Sequence, residues 1–181
     1  MYRVDAEINF DDFAPHHKIN YMFEQITCPV DLIKFVNTHY QNPNNPSYQT
    51  MITEAIKLNN LVALNILWRG QYYHTNDYPD FEHDVYTAVE YANTDTIKYT
   101  LYAYTNNGIS NDLNPLTYNK LKKCALKNTP KVLKFIDLLN ACVSIDYLNR
   151  ICRPDNKMNV QKKRQMFREC IEDVYNINNV V

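Results

Sequence analysis

Ala55-Ile-Lys-Leu-Asn-Asn-Leu-Val-Ala-Leu-Asn-Ile-Leu67 decides the fold, because it recurs without gaps as Ala88-Val-Glu-Tyr-Ala-Asn-Thr-Asp-Thr-Ile-Lys-Tyr-Thr100 and as Cys124-Ala-Leu-Lys-Asn-Thr-Pro-Lys-Val-Leu-Lys-Phe-Ile136. A fainter copy, Glu24-Gln-Ile-Thr-Cys-Pro-Val-Asp-Leu-Ile-Lys-Phe-Val36, lies upstream. Measured between first residues, the copies are 31, 33 and 36 residues apart. Self-similarity at such a period marks a chain of small units, none able to bury its own apolar face alone. Units of this kind stack, and stacked units make extended binding surfaces more often than catalytic clefts.

Within each copy the apolar positions fall at helical spacing. In the second they run Ile52, Ala55, Ile56, then Leu61, Leu64, Ile66, Leu67 and Trp68, broken at Asn59-Asn60. This predicts a short helix, a two-residue turn and a second helix packed antiparallel to the first. The third copy has Val85, Ala88 and Val89, a break at Ala92-Asn93, then Ile97 and Leu101. The fourth breaks at Asn128-Thr-Pro130, where proline suits the first turn of the following helix. Small residues at Ala55, Ala88 and Cys124-Ala125 recur at one phase and let neighbouring helices approach. Gly70 and Gly108 each fall just past a second helix, where a left-handed residue would end it.

Composition narrows the chemistry. A length of 181 residues suits one compact domain or a solenoid of about four or five repeats. Hydrophobic residues make up 45% and charged residues 22%, a globular balance. The net charge of −1 gives no global field toward nucleic acid or acidic membranes. With only two glycines there is no GxGxxG, no P-loop and no backbone cradle for phosphate, so a nucleotide enzyme is not expected. Abundant asparagine and tyrosine read as the bias of an AT-rich genome. The five cysteines, Cys28, Cys124, Cys142, Cys152 and Cys170, include no CxxC pair and read as buried free thiols. No run of 18 apolar residues suggests a membrane span, and the start lacks the apolar stretch of a signal peptide, so cytosol or nucleus is expected.

These windows resemble ankyrin repeats, whose period is roughly 33 residues. Thr50-Met-Ile-Thr-Glu-Ala55 keeps the threonine, aliphatic and alanine of the TPLHxAA opening. Ala88 to Tyr99 keeps the alanine, the acidic residue and the Ile-Lys helix, while Pro29 to Phe35 and Lys131 to Phe135 keep the same second helix. No TPLH survives, and Asn, Ala or Cys replaces the turn glycine. The resemblance implies an all-α, ankyrin-like helical-repeat solenoid with irregular long connecting loops. It implies an N-terminal extension over 1–18, four degenerate repeats over 19–140 and a C-terminal helical cap over 141–181. Within the extension, Arg3 to Phe10 alternates weakly like a strand; within the cap, Met158 to Tyr175 reads as an amphipathic helix with Val160, Phe167, Cys170, Ile171 and Val174 on one side. The worn, glycine-poor repeats are similar to short ankyrin-like proteins of large DNA viruses, related members of which bind host signalling factors. That implies a protein partner from a host, in its cytoplasm or nucleus.

In ankyrin proteins the inter-repeat connections project as fingers. Here they would be Gln71 to His83 and Thr105 to Asn119. Tyrosines in such loops bury large rigid area at low entropic cost, which makes them interface anchors. The expected partner-binding residues are therefore Tyr72, Tyr73, Tyr78 and Phe81 in the first finger and Asn107 and Ile109 in the second. Glu54, Lys57, Thr87 and Glu90 join them from the first-helix faces. No cofactor, metal, small-molecule substrate or enzymatic activity is expected. A second reading uses Lys162, Lys163, Arg164 and Arg168 as a basic patch for nucleic acid or a virion role, with no second basic cluster beside it. A third would make His74 and His83, with Asp77, Asp80, Glu82 and Asp84, an acid–base or metal site, although no HExxH spacing supports it. His16-His17 points to two faces and suits no shared metal.

Overall fold

The computed structural model describes residues 30–32, 34, 47–75, 79–107, 116–142 and 160–179, without the side chains of 73–75, 107 and 160–164. The regular elements among them are all α-helices: α1 Tyr48–Lys57, α2 Leu61–Thr75, α3 Phe81–Tyr91, α4 Thr94–Asn107, α5 Tyr118–Ala125, α6 Pro130–Cys142 and α7 Val160–Asn179. Residues 30–32 and 34 of the first copy are also helical, with Leu32 buried. None of these helices is long and apolar enough to cross a membrane. The N-terminal extension and its strand-like stretch, His16-His17, Cys28, Cys152 and Gly108 lie outside the described residues.

The three strong copies fold in register. α2, α4 and α6 each start at the seventh residue of their window, at Leu61, Thr94 and Pro130. Burial repeats at the same phase: Ile52, Val85 and Leu121 are fully buried, and so are Leu67, Thr100 and Ile136. Ala55 and Ala88 are fully buried; in the fourth copy the in-phase Cys124 is half-buried and Ala125, one residue on, is buried. Side-chain caps start the helices. Ser47 Oγ, Asp80 Oδ1 and Asn93 Oδ1 accept from the third backbone N–H of α1, α3 and α4, at 3.2, 3.0 and 2.9 Å.

Gly70 is a correction. It lies inside α2, which runs on to Thr75, and no described glycine has a positive φ. A glycine inside a helix costs only about 1 kcal/mol, and Gln71, Tyr72 and Tyr73 are all tolerated there. The left-handed residue is Asn59 instead, at φ 55° between α1 and α2.

The chain divides into two compact units, Met1–Ala55 with Val62–Pro79 and Ile56–Leu61 with Asp80–Val181. In the first, Met51, Ile52, Ala55, Ala63, Leu64, Leu67 and Trp68 are buried. In the second, the two-residue link Ala92-Asn93 makes α3 and α4 antiparallel neighbours, and α5 packs against both α3 and α6. α7 lies on α4 and α6 at once, burying Phe167, Ile171 and Val174, three of the residues read as its apolar side.

Polar groups at helical spacing zip α4 to α7. The Glu172 carboxylate accepts from Lys98 Nζ at 2.9 Å and from the Tyr102 hydroxyl. Lys98 Nζ also stands 4.2 Å from the centre of the Tyr175 ring, whose hydroxyl donates to Asp95. Lys98, followed by Tyr102, holds the Glu172 carboxyl below the ordinary carboxylate range. A lowered folded pKa gives stability that is complete above the unfolded value of about 4.3 and is lost as pH falls through the folded value. Glu172 is 42% exposed, so solvent limits its share to about 1 kcal/mol or less. Between about pH 5 and pH 3 the wild type should therefore lose stability faster than Glu172→Gln, measured as urea midpoints. Parallel curves would refute the clamp.

Candidate interaction surface

The turns that end the first helices build one surface. Asn59 Oδ1 accepts from Asn93 N at 2.8 Å and from Thr96 Oγ1 at 3.0 Å. On the other side of the same turn, Asn128 Nδ2 donates to Val89 O at 3.1 Å and Ala92 O at 2.9 Å. Three successive turns are thus bonded side by side in the order 59, 93, 128, all within the second unit. Each displays one large apolar residue just past or at the end of its helix: Leu58, Tyr91 and Leu126 are 58%, 54% and 64% exposed. Most other large apolar side chains in these copies are buried, so three at successive first-helix ends form a ridge and not scatter.

Charge surrounds the central tyrosine. Lys57 Nζ stands 5.5 Å from the centre of the Tyr91 ring. Glu90 pairs with Lys127 at 3.0 Å, and the Tyr91 hydroxyl, then Lys127, lower the Glu90 carboxyl. Lys120 reaches Glu82 at 3.3 Å, so one ion pair ties α3 to α5 and another ties it to the turn that follows α5. Beside the ridge opens a groove of about 720 Å³ lined by Tyr91, Asn93, Asp95, Asn128, Lys131 and Tyr175 among others. It offers aromatic walls, amides and one amine, which suits a peptide chain better than a reaction. No group of three His, Cys, Asp or Glu side chains among the described residues is placed to hold a metal.

The expected contact residues scatter. The first finger shortens, because α2 extends to Thr75 and α3 begins at Phe81. Tyr72 is exposed on the end of α2, and Tyr73 is on the same helix. Phe81 is 5% exposed: as the first residue of α3 it turns its ring inward and presents no contact surface. Thr87 is likewise buried, with its hydroxyl 3.3 Å from His83 Nε2. Asn107 ends α4, while Tyr78 and Ile109 lie outside the described residues. Glu54 is half-buried on α1. Only Lys57 and Glu90 come together, both at Tyr91. In the acid–base reading, Asp80 caps α3 through the His83 N–H, and Glu82 and Asp84 occupy its first turn, where the helix dipole favours carboxylates.

Two further expectations change. Arg168 of the C-terminal patch stacks 5.8 Å from the Tyr102 ring centre, engaged with α4; the side chains of Lys162, Lys163 and Arg164 lie outside the described residues. The thiols are not uniformly buried: Cys142 is exposed and Cys124 and Cys170 are half-buried. Burial, with the Cys142 thiol beside it, pushes Cys170 up to about 12.

The signal for them in the sequence is an apolar residue next to each break between paired helices, at Leu58, Tyr91 and Leu126. Comparison of the chain with family models, curated proteins and solved structures returned no match.

Proposed function

We propose that this protein is a non-enzymatic binding module of ankyrin-like design, whose turn ridge and adjoining groove hold a segment of another protein. The carrying observation is the set Leu58, Tyr91 and Leu126, each left more than half exposed at the end of a first helix whose Ile52, Val85 or Leu121 is fully buried. Interfaces draw most of their energy from a few central aromatic and aliphatic anchors, and Tyr91 has that position. The likeness to viral ankyrin proteins favours a host factor as the partner. The nucleic-acid reading has less support, since Arg168 stacks on Tyr102.

The test is capture from host-cell lysate by the full chain, quantified by mass spectrometry. Tyr91→Ala with Leu126→Ala should lower capture of a specific partner by about 30-fold, the usual consequence of losing a hot-spot anchor. Because both side chains are more than half exposed, the melting temperature should hold. Undiminished capture by the folded double variant would refute the ridge as the binding surface. Loss on Tyr72→Ala instead would return the site to the end of α2.

A further inference from the structure

We infer that the segment bound at this ridge is acidic, and that it is held by the exposed lysines that α5 and α6 carry on either side of Leu126 in the chain. The inference rests on the protein-binding reading above and names the partner's chemistry. Residues 113–136 contain six lysines and no carboxylate, in a chain whose net charge is −1. Three of the six are neutralised within the fold: Lys120 by Glu82, Lys122 by Asp137 and Lys127 by Glu90, at 3.3, 3.3 and 3.0 Å. Lys123, Lys131 and Lys134 are exposed, and no described carboxylate pairs with them. Lys131 lines the groove beside Tyr91. Asp95 lines it too, but its carboxylate accepts from the Tyr175 hydroxyl.

Charge alone would suit a carboxylate or a phosphate. Two features favour carboxylates. Leu126, 64% exposed, comes three residues after Lys123 and five before Lys131, so along the chain an apolar anchor stands between two of the exposed cations. That pairing matches a segment with aspartates or glutamates around a large apolar residue. All six cations are also lysines, with none of the arginine forks that hold phosphate oxygens in pairs.

The experiment is panning of a random-peptide display library on the intact chain. Enriched peptides should carry an excess of aspartate and glutamate around one or two large apolar residues. The best synthetic peptide should bind more weakly as salt rises. It should lose at least about tenfold in affinity to a Lys123→Glu, Lys131→Glu, Lys134→Glu variant while the three Lys→Arg changes preserve binding. Melting curves check that these surface variants are folded, and a Lys→Gln set should show a smaller loss in the same direction. Enriched peptides without acidic bias would overturn this inference and leave the protein-binding reading standing. No enrichment over the bare support would overturn both. Salt-sensitive binding of oligothymidylate tighter than any selected peptide would assign the lysines to nucleic acid, and the inference would fall.

Discussion

Asn59→Ala should destabilise the second unit by about 2–4 kcal/mol, more than an ordinary change at a half-exposed turn. Two losses combine. Alanine at φ 55° occupies the left-handed region, which costs about 1–2 kcal/mol for a residue with a Cβ and no local hydrogen bond. Removing Oδ1 also strands the Thr96 hydroxyl, which is fully buried and otherwise bonded to it at 3.0 Å; an orphaned buried donor costs about 1–3 kcal/mol. The Asn93 N–H, on an exposed residue, can turn to water. Asn59→Gly separates the terms, recovering the backbone share of about 1 kcal/mol but not the bonds. Asn59→Asp keeps the acceptor and should melt close to wild type. Urea denaturation of the four proteins decides it. Equal midpoints for alanine and wild type would mean that the turns are not joined through this side chain.

The asparagines show what the sequence could and could not tell. As composition they look like genomic bias. In the fold, Asn59, Asn93 and Asn128 hold three turns together, and Asn93 also caps a helix. The helix–turn–helix windows were legible because burial follows the 3.6-residue period, and the breaks at Asn59-Asn60, Ala92-Asn93 and Asn128–Pro130 are where the helices stop and restart. Helix length was less legible. Gln71 to Thr75 and Thr105 to Asn107 read as polar loops but continue α2 and α4, since polarity on an exposed helical turn resembles polarity in a loop.

That misreading displaced the candidate site. Tyr72 and Tyr73, expected in a finger, belong to a helix end, and Phe81 belongs to the interior. Tyr91 is hard to read as surface from sequence alone, because a helix-end tyrosine between Ala88 and Ala92 looks like core. The basic segment 113–136 is hidden for a different reason: the net charge of −1 averages it against an acidic remainder. Sliding sums of charge would have found it, and they correct the expectation that the C-terminal patch has no second basic cluster beside it.

Ala88→Leu tests the repeat phase itself. Ala88 is fully buried on α3, the helix that packs against both α4 and α5. Three added carbons there have no space to enter, so neighbouring helices must separate or side chains leave their rotamers, at a cost of about 3 kcal/mol. For a chain of this size that corresponds to a melting shift of roughly 6–12 °C. Ala103→Leu, on the half-buried side of α4, should cost less than about 1 kcal/mol, because its new methyl groups can point toward solvent. Ala55→Leu, at the equivalent position one copy earlier and also fully buried, should behave like Ala88→Leu. The pattern across the three matters more than any single value. If Ala88 and Ala103 variants melt alike, small residues at this phase are not what brings adjacent helices close. The alignment of the copies would then describe sequence similarity without a shared packing contact.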